Sequence, residues 1–205
     1  MSSTASSSRT AVLPTVAVVA LLALPACGGR GEQADTTAGA TAGATTAAAP
    51  AAAPSLSDPQ IAHAAVTANS IDSAAGAAAR SKARNAQVRE FAQQMVRDHG
   101  AVNKQAVALA QRLNVTPADN DVSRQLQQGA EQARTELAGR SGAEFDRAYI
   151  DHEVQYHQAV LDALDKTLIP GAQNAELKAL LQQVRPNVAA HLDRARSIQG
   201  TLGRQ

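Results

Sequence analysis

Three histidines and one aspartate stand where apolar side chains would be expected. In the stretch 85–113, Val88, Ala92, Met95, Val102, Ala106, Ala110 and Leu113 project within about 60° of His99 at about 100° per residue, so the imidazole sits at the centre of the face that must be buried. His157 shares a stripe with Ile150, Val154, Leu161, Leu164 and Leu168, and His191 with Leu177, Val184, Val188, Ile198 and Leu202. Asp72 is the centre of a stripe made of Ile61, Ala65, Ala68, Ala75 and Ala79. Buried polar groups need partners. Three imidazoles and a carboxylate form a suitable donor set for one transition metal ion, Zn²⁺ or Cu²⁺, with Glu153, one turn before His157, as a reserve ligand. The alternative is that the same groups only satisfy one another. His63 and His152 fall on opposite faces and are expected in water.

Other chemistries are poorly supported. There is no Ser/His/Asp grouping on suitable loops, no phosphate-cradling glycine loop and no cysteine nucleophile. A carboxylate-rich di-iron centre needs Glu three residues before its histidines, and Val96, Val154 and Val188 occupy those places. An enzyme is therefore disfavoured. All 18 acidic residues lie beyond Cys27, as do all basic residues but Arg9, so that part of the chain has no net formal charge. With 2% aromatic residues and no basic cluster, nucleic acid is not an expected partner.

The elements that must position the four residues are helices. The chain is 44% hydrophobic with no Trp, and beyond residue 57 no strand-like alternation appears. Ser57-Asp58-Pro59-Gln60 is a capped start for a helix to about Ala83, and a second helix follows from Asn85 to about Leu113. Residues 118–139, with Val122, Leu126, Ala130, Ala133 and Leu137, form a weaker amphipathic connecting helix. Ser141-Gly142-Ala143-Glu144 is a capping box for a helix to about Leu168, Ile169-Pro170-Gly171 breaks it, and Asn174 caps the last helix to about Leu202. The fold class is all-α: a four-helix bundle with a helical crossover. Gly100 interrupts the second helix, either for close backbone approach or as a tolerated imperfection. Counted from the intervening turns, Asp72 and His99 differ in height by roughly 3 Å, whereas His157 and His191 differ by roughly 9 Å at about 1.5 Å per residue.

Residues 1–27 have the pattern of an export signal: Arg9, an apolar run from Ala11 to Leu24, then Leu24-Pro25-Ala26-Cys27. The ending resembles the lipobox of bacterial lipoproteins, although Pro25 is not the usual residue there. That resemblance implies a diacylglyceryl group on Cys27, the only cysteine in the chain. A signal peptide cleaved near Ala26 without lipidation, or an uncleaved apolar anchor, is the alternative. Residues 28–57 are Ala, Thr, Gly and Pro with almost nothing to bury, a tether that would hold a domain at 58–203 on the order of 30 Å from its anchor.

The segments FAQQMVRDH (91–99), FDRAYIDHEVQYHQAVL (145–161) and VRPNVAAHLDRA (184–195) make residues 58–200 resemble the bacterial family called domain of unknown function 4142. The resemblance implies a ferritin-like bundle in the cell envelope, with Asp98-His99, His157 and His191 at its most specific motif positions, and Asp72 where the family usually has Glu. Two functions are weighed: a tethered binding module whose interior residues hold a metal or respond to protonation, and a structural or interaction lipoprotein without metal. The protein partner is unknown in either case, and the expected location is the periplasmic side of the envelope, anchored to the membrane by lipid, at the outer membrane if the host has one. Cys27→Ser should release the protein from the membrane fraction or block its maturation; unchanged fractionation and mass would refute the lipid anchor.

Overall fold

The computed structural model describes residues 55–204. They fold into an all-α bundle, with no strand among the described residues: α1 (Asp58–Lys82), α2 (Ala86–Arg112), α3 (Asp121–Ala138), α4 (Gly142–Ala163), a π-helical turn (Leu164–Leu168) leading into the short α5 (Ile169–Gly171), and α6 (Ala175–Leu202). Residues 1–54, on which the expected export signal, Cys27 and nearly all of the expected tether fall, lie outside the described residues.

Side-chain caps start most of the helices. Gln60 accepts from the Ser57 amide at 3.0 Å. Asn85 accepts from the amides of Gln87 and Val88, Asn120 from Ser123, and Asn174 from Glu176 and Leu177. Each satisfies amides that have no partner within the helix. The capping box expected at Ser141 does not form. Ser141 keeps the N-cap position, its carbonyl accepting from the Phe145 amide at 3.3 Å, but its side chain makes no capping hydrogen bond, and Gly142 opens α4 with φ of 58°.

Two carboxylates set the register. The buried Asp146, near the start of α4, accepts from the Arg84 amide at 3.0 Å and the Asn85 amide at 2.7 Å, which ties α4 to the α1/α2 turn. At the other end Asp58 accepts from the amides of Gln173 and Asn174, tying the start of α1 to the turn before α6. α1 and α4 therefore run antiparallel between two clamps. α3 is the lengthwise crossover: Asn120 donates to Gln60 O at its start, and Lys82 donates to Leu137 O and Ala138 O at its end.

The expected helix break at Ile169-Pro170-Gly171 is absent. The Ile169 amide reaches back five residues to Leu164 O, and the chain stays helical to Gly171. Pro170 cannot donate, and its ring would crowd an ordinary α turn. The wider π turn places it where the bonding pattern has already shifted.

The core has two apolar layers. One packs Val88, Phe91, Met95, Phe145, Tyr149 and Ile198 near the α1/α2 turn. The other packs Ile61, Leu109, Leu164, Leu181 and Leu192 toward the opposite end. Each such side chain contributes about 1.5–3 kcal/mol on full burial. Asp72, His99, His157 and His191 occur in neither layer, yet all are buried. No described helix is long and apolar enough to cross a membrane.

Close helix approach occurs at Gly76, not at Gly100. A Cβ on Gly76 would lie 2.7 Å from Ala92 O and 3.1 Å from Met95 Cβ, while one on Gly100 would meet nothing within 4 Å. Gly76→Ala should therefore destabilise the domain by about 1–3 kcal/mol through forced separation of α1 and α2. Gly100→Ala should stabilise it by about 0.5–1 kcal/mol through reduced chain entropy. Urea unfolding of the two variants tests this ordering, and a loss of stability in Gly100→Ala would contradict it.

Candidate metal centre

The four interior residues meet in one layer. Asp72 stands 11 residues before Ala83 in α1, and His157 stands 11 after Asp146 in α4. Because the Asp146 clamp joins those two ends, both side chains reach the same height. Asp72 Oδ2 lies 3.2 Å from His157 Nε2 and 3.0 Å from His99 Nε2. The offset of roughly 9 Å expected between His157 and His191 is not found, since their ring centroids are 5.4 Å apart. The continued helix is the cause: with α4 extended through the π turn to Gly171, His157 is 14 residues from the turn and His191 is 16 past Ala175. The His99 ring is 5.6 Å from that of His157 and 5.1 Å from that of His191.

Each imidazole is oriented by an oxygen on its outer side. Asn69 donates its amide N–H to Ala65 O at 2.8 Å, so its Oδ1 faces His99 Nδ1, also at 2.8 Å, and that nitrogen carries the proton. His157 Nδ1 donates to Glu153 O at 2.9 Å. His191 Nε2 donates to Asp98 Oδ2 at 2.9 Å. In the neutral rings, the remaining nitrogens, His99 Nε2, His157 Nε2 and His191 Nδ1, therefore hold lone pairs. All three are buried without a hydrogen-bond partner, as are both oxygens of Asp72. Asp72 Oδ2 approaches two of these nitrogens at ion-pair distance, but without the alignment of a hydrogen bond. A lone pair facing a carboxylate at such range is repulsive unless a cation, either a proton or a metal, lies between them.

Two overlapping groups of donor atoms lie close enough together that each could hold a metal ion. His99, His157 and His191 each offer a ring nitrogen within 4.8 Å of the other two, and Asp72, Glu153 and His157 form a second set by the same measure. Glu153 is completely buried, with Oε2 3.4 Å from His157 Nδ1 and neither oxygen hydrogen-bonded. Ion pairs of Asp72 and Glu153 among the described residues are with histidine alone.

The electrostatics follow from this isolation. Burial raises the Glu153 carboxyl to about 7, aided by the charge of Asp72 and opposed by His157. For Asp72, burial is outweighed by His99, His157 and His191, which hold it below the ordinary carboxylate value. Burial also works against protonation of His157, but Glu153 and Asp72 prevail and raise it. Burial holds His191 low against the pull of Asp98.

The four residues singled out in the sequence meet in one layer, whereas Asn69 was not singled out and Asp98 was named only as a motif residue, not as a support of a ring. Both sit at the edge of an apolar stripe and look like surface residues; Asn69, one turn before Asp72, was the available signal. His63 and His152 are not free in water. His63 is half-buried with Nδ1 4.0 Å from Asp119 Oδ1, and His152 is half-buried with its ring 5.8 Å from that of Tyr156. The crossover accounts for this, because the segment leading into α3 brings Asp119 to His63, while Leu137 of α3 lines a groove with His152.

Glu153 provides a pH test. Its folded value lies above the ordinary 4.5, so above pH 4.5 the unfolded chain ionises first and stability falls, levelling off above about pH 7. Glu153→Gln removes that loss. In chelator, its advantage over the native chain should be small near pH 4.5 and grow to on the order of 3 kcal/mol at pH 8, measured by urea unfolding. A gap that does not change with pH would contradict the burial of an ionisable group here.

A family described as a domain of unknown function (DUF4142) matches residues 43–198. No curated protein and no solved structure matches the chain. The match covers most of the chain, including Asp72, His99, His157 and His191, and the protein belongs to the DUF4142 family.

Proposed function

We propose that this domain binds one transition metal ion, Zn²⁺ or Cu²⁺, through His99, His157 and His191 with Asp72 as the carboxylate, and that it works as a binding module held in the cell envelope. The observation that carries this reading is the set of three buried ring nitrogens left without partners while the opposite nitrogen of each ring donates to an oxygen. Histidine ligands of metal sites have this arrangement, in which the outer hydrogen bond fixes the tautomer and leaves the inner lone pair for the ion. Imidazole and carboxylate donors without thiolate suit Zn²⁺ and Cu²⁺. Envelope location is supported by the order of export signal, Cys27 and tether in the sequence.

One observation favours a second reading. The 3.0 Å approach of His99 Nε2 to Asp72 Oδ2 also suits a protonated pair, in which case the interior would be a proton-sharing network of a structural or interaction protein. The two readings separate on metal addition. At about 100 times the dissociation constant, a bound ion adds roughly 2.7 kcal/mol, or roughly 5–10 °C in the unfolding temperature of a domain of this size. His99→Leu should abolish the rise, and His63→Ala and His152→Ala should leave it intact. An equal rise in the native and His99→Leu chains would mark the binding as adventitious. If metal gives no rise, and His99→Leu alone is costlier than the double change Asp72→Leu with His99→Leu, the proton-sharing network is the correct account.

A further inference from the structure

A cavity of about 120 Å³ lies beside the histidine layer, along the seam between α2 and α6. Ala106 and Ala110 of α2 line it, as do Leu181 and Val188 of α6. One end is formed by Asp72, His99 and His157, and the lining extends to Leu113 and Leu177 at the other. From His99 to Leu113 along α2 is roughly 21 Å at 1.5 Å per residue. The known apolar cavity that holds benzene is about 150 Å³, so about 120 Å³ extended over this length is a slot as narrow as a hydrocarbon chain. Close-packed interiors contain few voids larger than water. This one adjoins the π turn, whose Leu164 and Leu168 line it, and π turns within α-helices are frequent at functional sites.

The slot is apolar along its length, with Asp72, His99 and His157 at one end, while at the other Asp58 and Asn174 have their side-chain oxygens taken up by backbone amides. A ligand matching it has an unbranched aliphatic body and a single polar head. At the head end, Asp72, with Asp98 behind His191 and Glu153 behind His157, would balance most of the charge of a dication, so a head group would be recognised as one more oxygen donor to the ion, whose shell can expand from four to five ligands. We propose that the slot takes the hydrocarbon chain of a single-chain carboxylate amphiphile, with its head at the histidine centre. The head's recognition rests on the metal reading above, whereas the chain's recognition rests on the cavity alone.

Calorimetric titration of the purified full chain tests this, in detergent-free buffer with one equivalent of Zn²⁺, using acetate, hexanoate and decanoate below its micellar concentration. Decanoate should bind once per chain and at least tenfold more tightly than hexanoate, with acetate weakest. Ala106→Leu in α2 and, separately, Val184→Phe in α6 narrow the slot and should remove the advantage of decanoate while Zn²⁺ still binds. n-Hexane, a straight chain without a head, should compete with decanoate in the native chain, a measurement that needs no variant to fold. Equal affinity for all chain lengths, no binding of decanoate, lack of competition by n-hexane, or a chain-length preference that survives both substitutions would overturn the proposal. If the native chain shows no response to Zn²⁺ yet keeps its preference for decanoate, the slot stands and the metal reading has failed.

Discussion

Asp72 is a carboxylate almost without exposure, and among the described residues its ion-pair partners are histidines, with no lysine or arginine. An isolated charge in such a place costs several kcal/mol, and only well-placed positive charge offsets it. Much of the bundle's interior can be understood from that constraint. His99 and His157 approach the same oxygen, Oδ2, and His191 completes the triangle of rings. Asn69, the carbonyl of Glu153 and Asp98 hold the three rings from outside. The result is a polar layer between two apolar ones, in which His157 belongs both to the group of three rings and to the group with Asp72 and Glu153.

Placing the layer requires register, and register comes from groups far from the centre. Asp146 and Asp58 clamp opposite ends of the α1/α4 pair by accepting backbone amides. Helical rise then carries Asp72 and His157 to a common height. The π turn does the same for the α4/α6 pair by keeping the chain helical past Pro170. At Gly76 the absence of a Cβ lets α1 approach the α2 backbone, which brings Asp72 within reach of His99. Each device is local, and each has the same distant consequence.

The helices were legible in the sequence because apolar residues recur on one face and Asn, Ser, Pro and Gly mark most of the ends. The four interior residues were legible for the same reason, since each interrupts such a face. The height of His191 was not: a Pro-Gly pair reads as a helix stop, and nothing in the local composition signals a shift to five-residue bonding at Leu164–Leu168. Gly76 was hidden in an alanine-rich helix where a missing methyl leaves no periodic trace, whereas Gly100 drew attention by standing next to a histidine and touches nothing. The partial burial of His63 and His152 depends on where the crossover packs, which is a tertiary choice beyond any single stripe. Asn69 and Asp98 act through their hydrogen bonds, which sequence spacing does not reveal.

On the proposed function, three imidazole nitrogens are held ready for one ion. X-ray absorption at the zinc edge, on the full chain loaded with one equivalent of Zn²⁺, tests this. The spectrum should show a four-coordinate shell with three imidazole nitrogens at about 2.0–2.1 Å and one oxygen, losing an imidazole in His191→Ala. A six-coordinate oxygen shell, or an imidazole count unchanged by that substitution, would contradict it.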